Sequence, residues 1–156
     1  MSRRRRAVKR ETQADPVYQS TLIAKFINKV MREGKKTIAR DIVYGALDRL
    51  SQNVKKDPVE AFEQVLENAQ PTLEVKTRRI GGANYQVPVE IPANRRMSLA
   101  MGWIIRFSRA KAGKCMKDAL AQELVDCFQN QGATIKKKDE THRMAEANKA
   151  FAHYKW

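Results

Sequence analysis

The chain has 156 residues, enough for one helical domain whose core needs neither disulfides nor metal. Lysine and arginine number 31 against 17 aspartates and glutamates, a formal charge of +14, while 42% of residues are hydrophobic. That apolar content excludes a disordered basic tail, and the charge excess, which destabilises a compact domain by self-repulsion, asks for a polyanionic partner such as nucleic acid.

An anionic membrane surface fits less well, because no helix joins a basic face to an exposed Trp/Phe face. Residues 1–14 read as a basic, flexible arm. Arg3, Arg4, Arg5, Arg6, Lys9 and Arg10 stand there with no acid among the first ten residues. Such a block cannot pack against itself and is expected to order on phosphate; a solvated tail or a localisation signal is the plainer alternative. No apolar stretch follows it as in a signal peptide, and no run reaches membrane-spanning length. The expected setting is cytosol or the matrix of an organelle.

Residues 15–156 read as a single helical domain. "DPVYQ" (Asp15 to Gln19) is a turn-forming entry. Leu22, Ile23, Phe26, Ile27, Val30 and Met31 then recur with helical spacing, and Gly34 is expected to end that helix with Lys35 and Lys36 in the joint. Ile38, Ile42, Val43, Ala46, Leu47 and Leu50 mark the buried side of a second helix. Asp57-Pro58 predicts the start of a third, aspartate as cap and proline at the first helical position. Its stripe is Val59, Phe62, Val65, Leu66 and Ala69, and Pro71 stops it.

From Leu73 to Ile91 the period switches from 3.6 to 2, as for a β-hairpin. Pairing Leu73 with Ile91, Val75 with Val89, Thr77 with Val87 and Arg79 with Tyr85 gathers the apolar residues on one face. That register leaves Gly81-Gly82-Ala83 as a three-residue loop and sets Glu74 against Glu90. The base is apolar and the tip is cationic. Eight residues per arm at about 3.3 Å each reach on the order of 25 Å. An isolated hairpin is marginal in water, so a tip of Arg78, Arg79, Asn84 and Tyr85 makes sense against a partner: guanidinium for phosphate, tyrosine for stacking.

Helical spacing resumes with Met97, Ala100, Trp103, Ile104 and Phe107, until Gly113. A fifth helix carries Met116, Ala119, Leu120, Leu124 and Phe128 and is expected to close at Gly132. A sixth has Ile135, Met144, Ala147 and Phe151 as a sparse apolar side. The expected fold is mainly α: six helices in a single domain, with one protruding two-stranded antiparallel hairpin between the third and fourth. Cys115 and Cys127 are too far apart for a CxxC pair and read as reduced, semi-buried thiols.

Basic residues collect at the joints: Lys35 and Lys36, Arg95 and Arg96, Arg109, Lys111 and Lys114, then Lys136, Lys137 and Lys138. Helix starts are ready phosphate sites, although cations at helix ends also simply answer the C-terminal dipole. Enzyme motifs fail. "GKKT" (Gly34 to Thr37) looks like a phosphate loop but has lysine at both defining positions, and neither GxSxG nor HExxH occurs. His142 and His153 lack partners at metal-ligand spacing. Asp139, Glu140 and Glu146 sit among lysines, where ion pairing accounts for them.

Four stretches carry a resemblance: "KFINKVMREGKK" (Lys25 to Lys36), "VKTRRIGGANYQVPVEI" (Val75 to Ile91), "RRMSLAMGWI" (Arg95 to Ile104) and "HRMAEANKAFAHYKW" (His142 to Trp156). In this order and over nearly the whole chain they resemble the ribosomal protein seven family of bacterial-type small subunits. The resemblance implies a non-enzymatic primary binder of 16S-type rRNA that attaches to the 3′ major domain and nucleates folding of the subunit head. It implies a place at the subunit interface near the tRNA exit site, with tRNA and mRNA approached by the hairpin and small-subunit proteins nine and eleven as neighbours. Carried over by motif, the rRNA contacts are Arg3, Arg4, Arg5, Arg6, Lys9, Arg10, Lys35, Lys36, Lys76, Arg78, Arg79, Arg95 and Arg96, joined by the joint residues Arg109, Lys111 and Lys114. The exit-site contacts are Arg78, Arg79, Gly81, Gly82, Asn84 and Tyr85, with His142 and Arg143 from the carboxyl-terminal motif. The four consecutive arginines and the two cysteines depart from the family pattern.

Two other classes compete with this reading. A DNA-bending protein would need an apolar wedge at the arm tip, where this chain has Gly81-Gly82-Ala83. An RNA-modifying enzyme would need a nucleophile–base pair or a cofactor motif.

Overall fold

A computed structural model describes residues 11–154. The N-terminal arginines Arg3 to Arg6, Lys9 and Arg10 therefore lie outside the described residues. Six α-helices, a hairpin and a terminal 3-10 segment follow one another: α1 (Thr21–Val30), α2 (Lys36–Val54), α3 (Pro58–Ala69), β1 (Leu73–Ile80), β2 (Ala83–Glu90), α4 (Ala93–Ala110), α5 (Met116–Phe128), α6 (Gly132–Ala147) and a 3-10 turn at Lys149–Tyr154. The mainly helical fold with its hairpin between α3 and α4 is the one expected.

The entry turn is tied down by Asp15, a buried carboxylate. It accepts from the backbone N–H groups of Val17 and Tyr18 and from the Tyr44 hydroxyl on α2, at 2.7 Å to its nearer oxygen. Burial and that bond push the Tyr44 phenol up to about 12. Ser20 caps α1, accepting from the Ile23 N–H. Asp57 caps α3, accepting from Val59 and Glu60.

The core is built from Ile23, Phe26 and Ile27 of α1, Val43, Leu47 and Leu50 of α2, Phe62 and Val65 of α3, Ile104 of α4, and Leu120 and Leu124 of α5. Helix α5 packs against α2, α3, α4 and α6 and so forms the centre of the bundle. Its Cys127 is buried, whereas Cys115 is exposed at the cap position before α5. The expectation of two semi-buried thiols is corrected on both counts.

Several expected boundaries and faces shift. Helix α1 stops at Val30, and Gly34 instead serves a turn in which Glu33 and Gly34 both have positive φ (+53° and +72°). Ile38 is not on the buried side of α2 but 54% exposed, with Ala39 inside in its place. On α4 the inward face runs through Ala100, Met101, Ile104, Ile105 and Ser108, leaving Trp103 and Phe107 half-buried at its border. On α6 the inward residues are Thr134, Ile135, Thr141 and Ala145 rather than Met144 and Ala147. The threonine is tolerable there because its hydroxyl donates to Lys137 O at 2.8 Å. Gly132 opens α6 instead of closing α5, and Phe151 belongs to the 3-10 turn.

The hairpin register also differs by one residue. Ile80 pairs with Ala83, Arg78 with Tyr85, Lys76 with Val87 and Glu74 with Val89. The turn is therefore two residues, Gly81 and Gly82, at φ +56° and +88°. Two successive left-handed glycines make the tight turn whose twist matches that of the strands, and this local preference overrides the sorting of apolar residues to one face. Tyr85, Val87 and Val89 consequently share a face with Glu74, Lys76 and Arg78, while Leu73, Val75 and Pro88 lie on the other. Glu74 no longer meets Glu90.

Candidate nucleic-acid interface

Between the α1–α2 turn and the α4–α5 joint lies an open groove of about 470 Å³. Its floor is apolar: Met31, Ile38, Ile42 and Met116, over Val30 and Ala39. Its polar lining is Arg32, Lys35, Ser108, Arg109, Lys111 and Lys114, with no carboxylate among the described residues that line it. Arg109 donates to Val30 O, the last carbonyl of α1, at 3.1 Å. Burial, and after it the nearby Arg32 charge, lowers the Arg109 pKa. Lys35 reaches back to Glu33 at 2.7 Å, an exposed pair that water and salt readily loosen. Lys36 begins α2, on the side of Asp15 and Arg40.

Lys111 differs from its neighbours. Its ammonium lies 2.9 Å from Glu123 and 3.0 Å from Asp126 on α5. Burial pulls its pKa down, yet those two carboxylates more than restore it, and the net shift is upward. Glu123 is fully buried and also accepts from the N–H and hydroxyl of Thr134, taking over the role of cap for α6. In this structure the Lys111 charge is answered within the protein.

A second cationic region lies at the hairpin base. Glu74 there is bound by Arg95 and Lys76, at 2.8 Å and 3.3 Å, and Arg96 donates to Ile91 O at 2.6 Å. Both Lys76 and Arg95 keep about half of their side-chain surface in solvent. The third region is the tip: exposed Arg78, Arg79, Gly81, Gly82 and Asn84. Arg79 makes no ion pair with a described residue.

Tyr85 does not stand free for stacking, as the sequence suggests. Its ring packs 5.4 Å from Phe151 and 5.5 Å from Tyr154, so the hairpin and the 3-10 turn share one small aromatic cluster. His142 accepts the Thr72 N–H at 2.9 Å and thereby ties α6 to the start of the hairpin. Arg143 is exposed one residue further on. Of the α6 lysines, Lys138 donates to Asn68 O near the end of α3 and Lys137 pairs with Glu140, while Lys136 is exposed.

Sequence reasoning passed over Arg32 and Ile38 in the groove. It also missed Lys25 and Lys29, which border a second cleft between α1 and α4 where Lys29 donates to the Ser98 hydroxyl at 2.8 Å. Arg32 was within reach, because it shares a turn with Lys35. Nothing in the sequence marks Ile38 as exposed.

The family model for ribosomal protein S7p/S5e matches residues 2–149. This chain belongs to that family. Curated relatives span the whole of both chains: 68% identity to small ribosomal subunit protein uS7 of Protochlamydia amoebophila, 64% to that of Chlamydia felis and 62% to that of Chlamydia trachomatis serovar D. The S7p/S5e family is structural and non-enzymatic, and membership makes this chain a structural constituent of the small ribosomal subunit.

Proposed function

We propose that this constituent of the cytoplasmic small subunit is a primary binder of 16S-type rRNA, which attaches to the 3′ major domain and nucleates folding of the subunit head. The observation that carries this reading is the groove lined by five cations, Arg32, Lys35, Arg109, Lys111 and Lys114. Lys36, Lys76, Arg95 and Arg96 extend the positive surface to the starts of α2 and α4, where exposed N–H groups favour phosphate. Lys111, which lines the same groove, also fixes the α4–α5 joint through Glu123 and Asp126.

The glycine tip with Arg78, Arg79 and Asn84 reaches toward exit-site tRNA and mRNA. Tyr85 supports it through the cluster with Phe151 and Tyr154, while His142 and Arg143 stand at the hairpin's start as further candidate contacts. Proteins nine and eleven are the expected neighbours, on the strength of the carboxyl-terminal motif. A DNA-bending role is disfavoured by the exposed Gly81-Gly82 turn, which offers no wedge to a base step.

Binding to a 3′ major domain transcript, measured across salt, tests the reading. Engaging about eight phosphates gives a log–log slope of roughly −6 to −7. A slope near zero, or equal affinity for duplex DNA, would defeat it.

A further inference from the structure

Two polar anchors join the base of the hairpin to the helical body, and they answer to different pH ranges. One is the Glu74–Arg95 ion pair to α4, whose carboxylate is held below 4.5 and stays charged through the neutral range. The other is Thr72, the residue before β1. Its carbonyl accepts from the Ile91 N–H at 3.1 Å, which closes the base of the two strands. Its own N–H donates to His142 Nε2 on α6 at 2.9 Å, and its hydroxyl lies 3.2 Å from the same nitrogen. One residue thus ties both strands to α6.

A ring nitrogen accepts a backbone N–H only through a bare lone pair, so the bond requires a neutral ring with its proton on Nδ1. A proton on Nε2 would face the Thr72 N–H with neither able to accept. Histidine is the side chain whose charge ordinarily changes between about pH 5 and 8. The charged ring has an alternative at hand. Glu90 of β2 and Glu146 of α6 line the cleft beside His142, against Lys149 of the 3-10 turn. Asp139 and Arg143 on α6 are exposed, Lys138 is bonded to Asn68 O, and Glu74 on β1 is engaged by Arg95 and Lys76.

We infer that Thr72 and His142 form a proton-operated latch: protonation of the ring frees the hairpin base from α6, while Arg95 and Glu74 keep it on α4. The finger then turns about one anchor instead of two. The latch acts on the finger's attachment, whatever the tip touches. Further along, Asn148 reaches Gln86 at 3.4 Å, and Phe151 and Tyr154 pack on Tyr85. Those contacts carry no group that titrates in this range. His153 does, but its Nδ1 lies 2.9 Å from Ala150 O, a contact that a protonated ring keeps.

Backbone amide exchange of the full chain tests the latch, read at about pH 7.5 and about pH 5.5 and corrected for the intrinsic pH dependence of exchange. The native chain is compared with His142→Gln and His153→Gln, since a glutamine amide oxygen accepts an N–H at either pH. Native protection at Thr72 is expected to fall about tenfold on acidification, within what one ordinary hydrogen bond supplies, while α2, α4 and α5 keep theirs. His153→Gln should behave as native, and His142→Gln should hold its protection at both pH values. Equal native protection at both, or a fall shared by α2 and α5, overturns the latch. So does a pH response that survives in His142→Gln or vanishes in His153→Gln. Should His142→Gln fail to fold, the imidazole nitrogen spectrum of the native chain decides: at the higher pH a bare Nε2 supports the latch, and a proton on it overturns it.

Discussion

Arg95 and Glu74 clamp the base of the hairpin to the first turn of α4: the guanidinium Nε lies 3.0 Å from both carboxylate oxygens and Nη2 lies 2.8 Å from one. Burial raises the Glu74 pKa, but hydrogen bonds from Arg95 and Lys76 outweigh it and hold the group below its ordinary value of 4.5. A folded-state value below the unfolded one contributes stability above that ordinary value, and the contribution disappears as pH falls through the folded-state value. Native protein is therefore expected to lose stability faster than Glu74→Gln on acidification beneath 4.5. Urea titrations at stepped pH measure this, and parallel curves would show that the carboxylate is not coupled to folding.

Lys111 and Lys114 are three residues apart and chemically identical, yet they are expected to respond differently to alanine. Lys111→Ala strands the fully buried Glu123 beside Asp126, at a cost of about 3–5 kcal/mol. Lys114 is exposed and donates to the Gln122 amide oxygen, so Lys114→Ala stays within about 0.5 kcal/mol of the native chain. Chemical denaturation separates the two, and equal losses would refute the division between a structural and a surface cation.

That pair also shows where the sequence is legible. Features with local causes can be read from it: the Asp57-Pro58 cap, the change of period at Leu73, and the presence of joints around Gly34 and Gly113, although α1 and α4 stop three or four residues before those glycines. The register cannot be read from apolar pattern alone, because the Gly81-Gly82 turn holds Ile80 against Ala83 whatever the cost in face sorting. Nor can the duty of a cation. Whether Lys111 meets solvent or Glu123 depends on how α4 and α5 approach one another, and no spacing within the chain encodes that directly. Ile38 and Trp103 share this difficulty. Each lies beside the inward face of its helix, where a small rotation decides between core and surface.

Gly132 opens α6 at φ +90°, a conformation that a side chain strains to adopt, and a Cβ there would sit 2.9 Å from Asp126 Cβ. Gly132→Ala is expected to cost at least about 1–3 kcal/mol. A melting temperature equal to native would show that the α5–α6 joint relaxes freely.

The two cysteines are expected to react in sequence. Burial pushes the Cys127 thiol up to about 12, so almost no thiolate exists at pH 8, whereas Cys115 is exposed. Iodoacetamide should add one mass increment to the folded chain, at Cys115, and a second only in denaturant. Labelling of Cys127 at the same rate would mean that the α5–α6 contact opens readily.

Tyr85 links the finger to the end of the chain through two ring contacts, each worth about 0.5–1.5 kcal/mol. Tyr85→Ala is expected to release the 3-10 turn without weakening the helical core, because neither Phe151 nor Tyr154 belongs to the core cluster. Amide exchange at residues 149–154 should then rise roughly tenfold, the effect of losing about 1.4 kcal/mol. Exchange in α2 and α5 should stay as it was, and Tyr85→Phe should keep most of the protection. A global rise in exchange would place Tyr85 within the cooperative core instead. A loss confined to the turn would show that Tyr85 holds the carboxyl-terminal segment to the hairpin.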